Sequence, residues 1–193
     1  MSLSAAATAF AVLFLAELGD KTQLIAMSLA HRHRAAPVLA GILAAFATLN
    51  ALAAAVGAAL YELVPQYAVL TVAGVLFVGF GWHLWRAGAE EADEEASVER
   101  SGWGVALASF TLIFVAEMGD KTQIALVAMA AATGETWATF LGATAALWAV
   151  SILGVAVGAT LLRRIPALWV HRGAALLFAA FGLWAFGRAA GVA

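Results

Sequence analysis

Six long apolar runs constrain the fold of this chain more than any other feature. Each is long enough to cross the hydrocarbon core of a bilayer, which takes about 20 helical residues. The chain is 64% hydrophobic and only 11% charged, a balance that one soluble core of this size could not hide. Because open strands would leave backbone groups unpaired in lipid, we expect an all-α integral membrane protein with six transmembrane helices. The runs lie near residues 5–30, 37–61, 67–86, 103–131, 136–161 and 169–188.

The same three-run unit occurs twice. The stretch AELGDKTQ at residues 16–23 returns as AEMGDKTQ at 116–123, and later landmarks of the unit match at an offset of 101. These landmarks are Gly41 with Gly142, VGA at 56–58 with VGA at 157–159, and Pro65 with Pro166. We therefore predict two three-helix repeats, 1–87 and 103–193, joined by an acidic cytoplasmic linker at 88–102. Since each unit crosses the membrane an odd number of times, the second must be inverted relative to the first, as in many secondary transporters.

Basic residues predict the orientation, because cytoplasmic loops of membrane proteins carry the excess of Lys and Arg. Every arginine except Arg188 falls in a loop on one side of the predicted bundle, whereas Lys21 and Lys121 lie within the membrane. Both termini are therefore expected on the non-cytoplasmic side of a multi-pass protein. The high Ala, Gly and Arg content and the short loops favour a bacterial inner membrane. The arginines on the cytoplasmic side are Arg32, Arg34, Arg86, Arg100, Arg163, Arg164 and Arg172.

Each repeat carries two acids and a base in the middle of its first apolar run. Glu17, Asp20 and Lys21 are spaced so that they would share one face of a continuous helix, and the second repeat has an equivalent set. Gly19 would instead allow the helix to open locally and free backbone carbonyls. The spacing alone does not decide between a continuous and an open helix. In either case, four carboxylates against two lysines leave a surplus charge of −2 when all are ionised.

This surplus charge predicts a site for cations or protons. Two like charges about 4 Å apart cost about 4 kcal/mol at an effective dielectric constant of about 20. A buried cluster therefore cannot keep all four acids charged without binding protons or cations. One divalent cation or two protons would cancel the surplus equally, which is a physical basis for exchange. A purely structural pair of Glu–Lys bridges is the alternative, but ionisable residues at this depth are functional by default.

The candidate ligands are oxygen atoms from both repeats. Oxygen-rich sites suit Mg, Ca or Mn, and the absence of Cys and of an intramembrane His cluster disfavours Zn and Cu. The predicted metal ligands are Glu17, Asp20, Gln23, Glu117, Asp120 and Gln123. The residues predicted to support them are Lys21, Thr22, Lys121, Thr122, Asn50 and Ser151. The lysines would hold the acids or relay protons, and the threonines would bind metal or bond to their own helix. The Asn and Ser would add ligands or form hydrogen bonds between helices.

The doubled motif resembles a known family. ELGDKT at 17–22 and EMGDKT at 117–122 are similar to the E-x-G-D-K-T signature of the Gdt-type cation/proton exchangers, and the resemblance extends over the whole chain. That family has Golgi, chloroplast and bacterial members that move manganese and calcium, and its small bacterial members are manganese exporters. The resemblance implies export of Mn²⁺, with Ca²⁺ as the second candidate, in exchange for protons.

We expect this exchange to proceed by alternating access around a midplane site of four carboxylates, in a secondary active transporter rather than an enzyme. The expected partners are membrane lipid and the divalent cation, with no nucleic acid and no resident cofactor. Nothing in the sequence predicts an oligomeric state or the resting conformation.

Two other functions fit parts of the pattern. Rings of acidic side chains select cations in channels, but one pair of motifs with lysines inside would bind a cation too tightly for fast flow. An intramembrane aspartyl protease needs two Asp on different helices, which Asp20 and Asp120 would supply. The G-x-G-D pattern of those proteases, however, has Gly where Glu17 and Glu117 stand. A divalent cation channel is therefore the nearer alternative and a protease the remote one.

Overall fold

Eight α-helices make up the described part of the chain, which comprises residues 2–86, 103–162 and 167–191 of a computed structural model. For a few residues inside the helices, Lys21 among them, only the backbone is described. No strand occurs within these ranges, so the predicted all-α fold is confirmed. The predicted linker at 88–102 lies outside the described residues. The helices are α1 Leu3–Glu17, α2 Lys21–Arg32, α3 Ala35–Leu63, α4 Gln66–Arg86, α5 Trp103–Glu117, α6 Lys121–Thr133, α7 Thr136–Leu162 and α8 Ala167–Ala189.

Four of the six apolar runs form single helices whose ends agree with the sequence prediction to within two residues: α3, α4, α7 and α8. Two residues separate α3 from α2 and from α4, and two residues separate α6 from α7. Gly134 ends α6 in the left-handed conformation, with φ of 69°, and its N–H donates to the carbonyl of Ala130 at 2.9 Å. A glycine tolerates this conformation without a steric penalty, which explains the sharp turn into α7.

The first and fourth apolar runs are each broken into two helices, so the open form, one of the two alternatives that the spacing left undecided, occurs in both motifs. α1 ends at Glu17 and α2 begins at Lys21, and the break between α5 and α6 has the same position in the second repeat. Glu17 and Asp20 therefore do not share a face of one helix. They are brought together by the turn between two helices.

Among the described residues, three helices are long and apolar enough to cross a membrane by length and composition: Ala35–Leu63, the Gln66–His83 part of α4, and Thr136–Ala156 within α7. Leu3–Glu17 and Gly104–Glu117 are shorter apolar helices, as expected for half-helices. Large apolar side chains such as Val75 and Leu183 are 59% and 66% exposed, which suits contact with lipid rather than water. Six crossings in two inverted repeats remain a prediction.

Glycines at equivalent positions allow helices of the two halves to pack closely against each other. A Cβ built on Gly142 of α7 would lie 2.1 Å from the carbonyl oxygen of Ala6 in α1. A Cβ on Gly41 of α3 would lie 2.1 Å from the carbonyl oxygen of Ala106 in α5. Each half therefore receives the first helix of the other half at the same glycine, and this close packing holds α1 and α5 in place. We expect any larger residue at either glycine to push the motif helix away.

The last helix of each half packs against the other in the same way. Gly81 of α4 admits the backbone of Ala175 in α8, and Gly182 of α8 admits the backbone of Gly74 in α4, with built Cβ to oxygen distances of 2.9 and 3.0 Å. Phe77 of α4 packs between them, with its ring tilted by 47° against that of Phe181 and the two ring centroids 4.5 Å apart. These contacts place α4 and α8 beside the pair of broken helices.

Candidate ion-binding site

The two motifs form the same turn. The glycine of each motif has a positive φ, 86° at Gly19 and 82° at Gly119. The backbone N–H of Asp20 donates to the carbonyl of Glu17 at 3.1 Å, and the equivalent bond from Asp120 to Glu117 is also 3.1 Å. A residue with a side chain rarely adopts this φ, so the glycine explains why the helix breaks here.

A glutamine four residues after each glycine closes the turn. Oε1 of Gln23 accepts a hydrogen bond from the N–H of Gly19 at 2.8 Å, and Oε1 of Gln123 accepts one from Gly119 at 2.6 Å. The amide of Gln23 also donates to the carbonyl of Val150 in α7 at 3.3 Å. These contacts give both glutamines a positioning role that the sequence did not predict, while their predicted role as metal ligands stays a prediction. The four-residue spacing from glycine to glutamine, repeated in both motifs, was the sequence feature that could have predicted this positioning role.

Replacing Gly119 with Ala is expected to destabilise the protein by about 1–2 kcal/mol, the cost of a left-handed backbone for a residue with a Cβ. No atom lies within 4 Å of a Cβ built there, so the cost comes from the backbone alone. Gly79 provides the matched control, because its built Cβ is equally unobstructed and it lies inside α4 without a positive φ. Gly79→Ala should be neutral or stabilising by up to about 1 kcal/mol. Equal effects of the two substitutions in thermal unfolding would contradict the strained turn.

The turns bring acids of the two halves together. Carboxylate oxygens of Glu17, Asp20 and Asp120 lie within 4.8 Å of one another. Glu117 is near enough for electrostatic interaction with all three. The structure thus unites the four acids that the sequence predicted as one site, although Glu117 is not part of the tightest group. The next residue after Asp120 begins α6, so its carboxylate also lies at the partial positive charge of a helix N-terminus.

Several carboxylate oxygens of this cluster are buried without a partner. Within the described residues, no hydrogen-bond donor reaches Oε2 of Glu17, either oxygen of Glu117, or Oδ2 of Asp120. Glu17 and Glu117 are 1% and 3% exposed. A buried carboxylate without a donor is costly unless it binds a proton or a cation. The unpaired oxygens therefore mark where such an ion would bind.

Two further acid oxygens are held by side chains. Lys121 forms an ion pair with Oδ2 of Asp20, which joins the second motif to the first. The hydroxyl of Thr22 donates to Oε1 of Glu17 at 2.8 Å, rather than to a carbonyl of its own helix. Thr122 makes no equivalent bond, since both oxygens of Glu117 lack a donor among the described residues. The side chain of Lys21 lies outside the described residues.

The remaining predicted supporting residues form hydrogen bonds between or within helices. Asn50 of α3 donates to Oγ1 of Thr144 in α7 at 3.1 Å, and both side chains are buried. Ser151 donates to the carbonyl of Leu147 in its own helix at 2.7 Å. Asn50 therefore forms a hydrogen bond between helices, which is one of the two roles predicted for it. Ser151 packs near the Val150 carbonyl that binds Gln23, which places α7 against the first motif.

Comparison with known proteins agrees with the duplicated motif. The family model described as "Divalent cation/proton antiporter GDT1" matches residues 5–92 and again residues 105–192. The two matched segments cover most of the two predicted repeats and leave out most of the segment between them.

Similar proteins occur in bacteria and plants. GDT1-like protein sll0615 of Synechocystis is 31% identical, covering 94% of this chain and 96% of its own length. A Vibrio cholerae protein named "Putative manganese exporter" is 33% identical over 91% of this chain and 87% of its own. GDT1-like protein 3 of Arabidopsis thaliana is 29% identical over 91% of this chain and 68% of its own. No solved structure gives a significant match.

Proposed function

Because the chain belongs to the GDT1 family of divalent cation/proton antiporters, we propose that it exports a divalent cation in exchange for protons, with Mn²⁺ as its main substrate. The similarity to the Vibrio cholerae protein named for manganese export supports Mn²⁺ over Ca²⁺. Ca²⁺ stays the second candidate, since oxygen sites accept both ions and the size of the cavity decides. The proposed location is a bacterial inner membrane, with both termini on the non-cytoplasmic side.

The observation that carries this proposal is the cluster of buried, unpaired carboxylate oxygens contributed by both motifs. Glu17, Glu117 and Asp120 supply these oxygens, and Asp20 lies within the same cluster. The cluster can be neutralised by a divalent cation or by protons, and the two compete for the same oxygens. Cation release and proton uptake on the same side are then coupled because both ions bind the same oxygens, and no separate conformational switch is needed to link them.

The geometry supports alternating access of this shared site. The first motif lies between α1 and α2 of one half, and the second lies between α5 and α6 of the other. If the halves are inverted three-helix repeats, a rocking motion of one against the other would expose the acids first to one side and then to the other. The cation would bind from the cytoplasm with release of protons, and external protons would displace it after the site turns outward.

The test is transport of Mn²⁺ by the purified protein in liposomes with an imposed pH gradient. The proposal predicts that protons moving down their gradient drive Mn²⁺ uphill. If two protons exchange for one cation, one pH unit should support about a 100-fold Mn²⁺ ratio, since each tenfold ratio is about 1.4 kcal/mol. A protonophore should abolish the uphill movement. Downhill Mn²⁺ flux that ignores the pH gradient would instead indicate a channel.

A further inference from the structure

A cavity of about 710 Å³ lies between α1, α6, α7 and α8. Its lining includes Ala5 and Thr8 of α1 and Thr139 of α7. Glu135 and Arg188 also line it, at the end where α1 begins and α8 ends. The carboxylate of Glu135 accepts a hydrogen bond from the N–H of Ser2 at 3.1 Å. The cavity therefore combines a mostly apolar lining with polar groups, several of which lie at the membrane face where α1 begins and α8 ends, which we call the outer face.

The cavity leads towards the acid cluster. Val12 and Met129 also line it, and each is only 1% exposed, so they form its buried end. Val12 lies five residues before Glu17 in α1, which corresponds to about 7.5 Å along the helix axis. The inner end of the cavity is therefore less than two helical turns from the first acid of the site.

At three of the equivalent positions in the other half, the side chains are apolar and closely packed. By the offsets of the repeat, Val105 corresponds to Ala5, Leu29 to Met129, and Val38 to Thr139. Leu29 and Val38 are 0% exposed and Val105 is 2% exposed. All three belong to one apolar cluster in the half of the molecule towards the inner face. The inner half thus has packed hydrocarbon at these positions, whereas the outer half has a cavity that ends against a second apolar cluster, to which Val12 and Met129 belong.

The difference between the halves has a simple physical origin. Valine adds two methyl groups at the position of Ala5, and it replaces the hydroxyl of Thr139 with a methyl group. Thr139, which is only 1% exposed, donates its hydroxyl to the carbonyl of Glu135 at 2.9 Å and adds one polar group to the wall of the cavity. An apolar constriction excludes ions because they cannot shed their water there. The two halves of the path therefore differ in polarity although they share one backbone plan.

We propose that the cavity is the outer half of the ion path, and that Leu29, Val38 and Val105 form an inner gate that closes the other half. This inference rests on the proposed transport function. Because Glu17 and Glu117 are only 1% and 3% exposed, it assigns the structure to an occluded conformation with the cavity on the outer side. It also makes the apolar cluster of Leu29, Val38 and Val105 the element that must part before the acids meet the cytoplasm.

Cysteine labelling tests the path directly, because the chain contains no native cysteine. In oriented vesicles, Thr8→Cys should react with a membrane-impermeant thiol reagent applied at the outer face. Val105→Cys should react at least about tenfold more slowly from either face. Val75→Cys provides a lipid-facing control in α4 and should also react slowly. Equal labelling of Thr8→Cys and Val105→Cys, or of Thr8→Cys and Val75→Cys, would overturn the inference.

Exchanging the equivalent residues tests the gate. Val38→Thr, made in the Val105→Cys background, should raise labelling from the inner face by about tenfold. Thr139→Val, made in the Thr8→Cys background, should reduce labelling from the outer face. These changes are nearly isosteric, so the packed volume is preserved. Unchanged labelling in both backgrounds would overturn the gate. If Val38→Thr fails to fold, the Thr139→Val variant and the comparison of the single-cysteine variants still test the proposal.

The same vesicles separate failure of this inference from failure of the proposed function. If Mn²⁺/proton exchange is intact while Thr8→Cys is unreactive, the path is wrong and the function stands. If labelling follows the expected pattern but no Mn²⁺ is exchanged for protons, the proposed function is wrong and the outward-facing cavity stands as a property of the fold.

Discussion

Replacing Glu117 with Gln is expected to stop Mn²⁺/proton exchange while leaving the protein folded. Both carboxylate oxygens of Glu117 are buried and receive no hydrogen bond from the described residues, so the substitution breaks no ion pair or hydrogen bond. The amide has nearly the same shape but can neither bind a proton nor carry the charge that a cation needs. Loss of an outer-shell partner of a metal already costs about 10- to 100-fold, so loss of a ligand should lower transport by at least about 100-fold.

Glu62→Gln is the matched control for this substitution. Glu62 is an exposed carboxylate near the end of α3, away from the motif turns. The control should transport Mn²⁺ at the parental rate, and both variants should unfold at the parental temperature. A Glu117→Gln protein that still exchanges Mn²⁺ for protons at the parental rate would remove Glu117 from the site.

Replacing Asp20 with Asn should lower both stability and transport, in contrast to the change at Glu117. Asp20 is the partner of Lys121, and the two side chains are only 23% and 24% exposed. Removing Asp20 takes away the direct partner of a partly buried ammonium while Glu17 and Asp120 still attract it, so the cost should stay below the about 3 kcal/mol that is usual for a fully buried pair. Transport should also be lost, since Asp20 belongs to the acid cluster.

A double substitution separates the two effects of Asp20. Adding Lys121→Gln to Asp20→Asn removes the unpaired ammonium and should recover most of the lost stability without restoring transport. Thermal unfolding and Mn²⁺ flux, measured on the two single variants and the double variant, give the coupling between the residues. A double variant as unstable as Asp20→Asn alone would show that the ion pair does not account for the loss.

The helices and the clustering of the acids could be predicted from the sequence because both depend on local, repeated patterns. Apolar runs such as those of α3 and α7 have no other stable form in lipid, and their ends follow from the turn residues beside them. The doubled motif placed equivalent acids in both halves, so a shared cluster of Glu17, Asp20 and Asp120 followed from the duplication.

The break in each motif helix could not be predicted because glycine is common inside membrane helices as well as at turns. The positive φ of Gly19 depends on the hydrogen bond that Gln23 returns to it, and on α7 packing against Gln23. The pairing of Lys121 with Asp20 depends in turn on how the two halves meet. Such partners lie about a hundred residues apart, and local periodicity carries no information about them.

The cavity could not be predicted from the sequence either, although a sequence difference that accompanies it can be identified. Thr139 and Val38 occupy equivalent positions, and a polar residue in only one half indicates unequal packing. Which half is open depends on how all the helices around the cavity pack, and that is a tertiary property.

The central claim is that protons and one divalent cation compete for the same buried carboxylates. The most direct measurement is the proton release of the purified protein on Mn²⁺ binding in weakly buffered solution, followed by titration calorimetry in buffers of different ionisation enthalpy. The account predicts release of up to about two protons per bound Mn²⁺, and much less release for Glu117→Gln. Tight Mn²⁺ binding with no proton release, unchanged by pH, would contradict it.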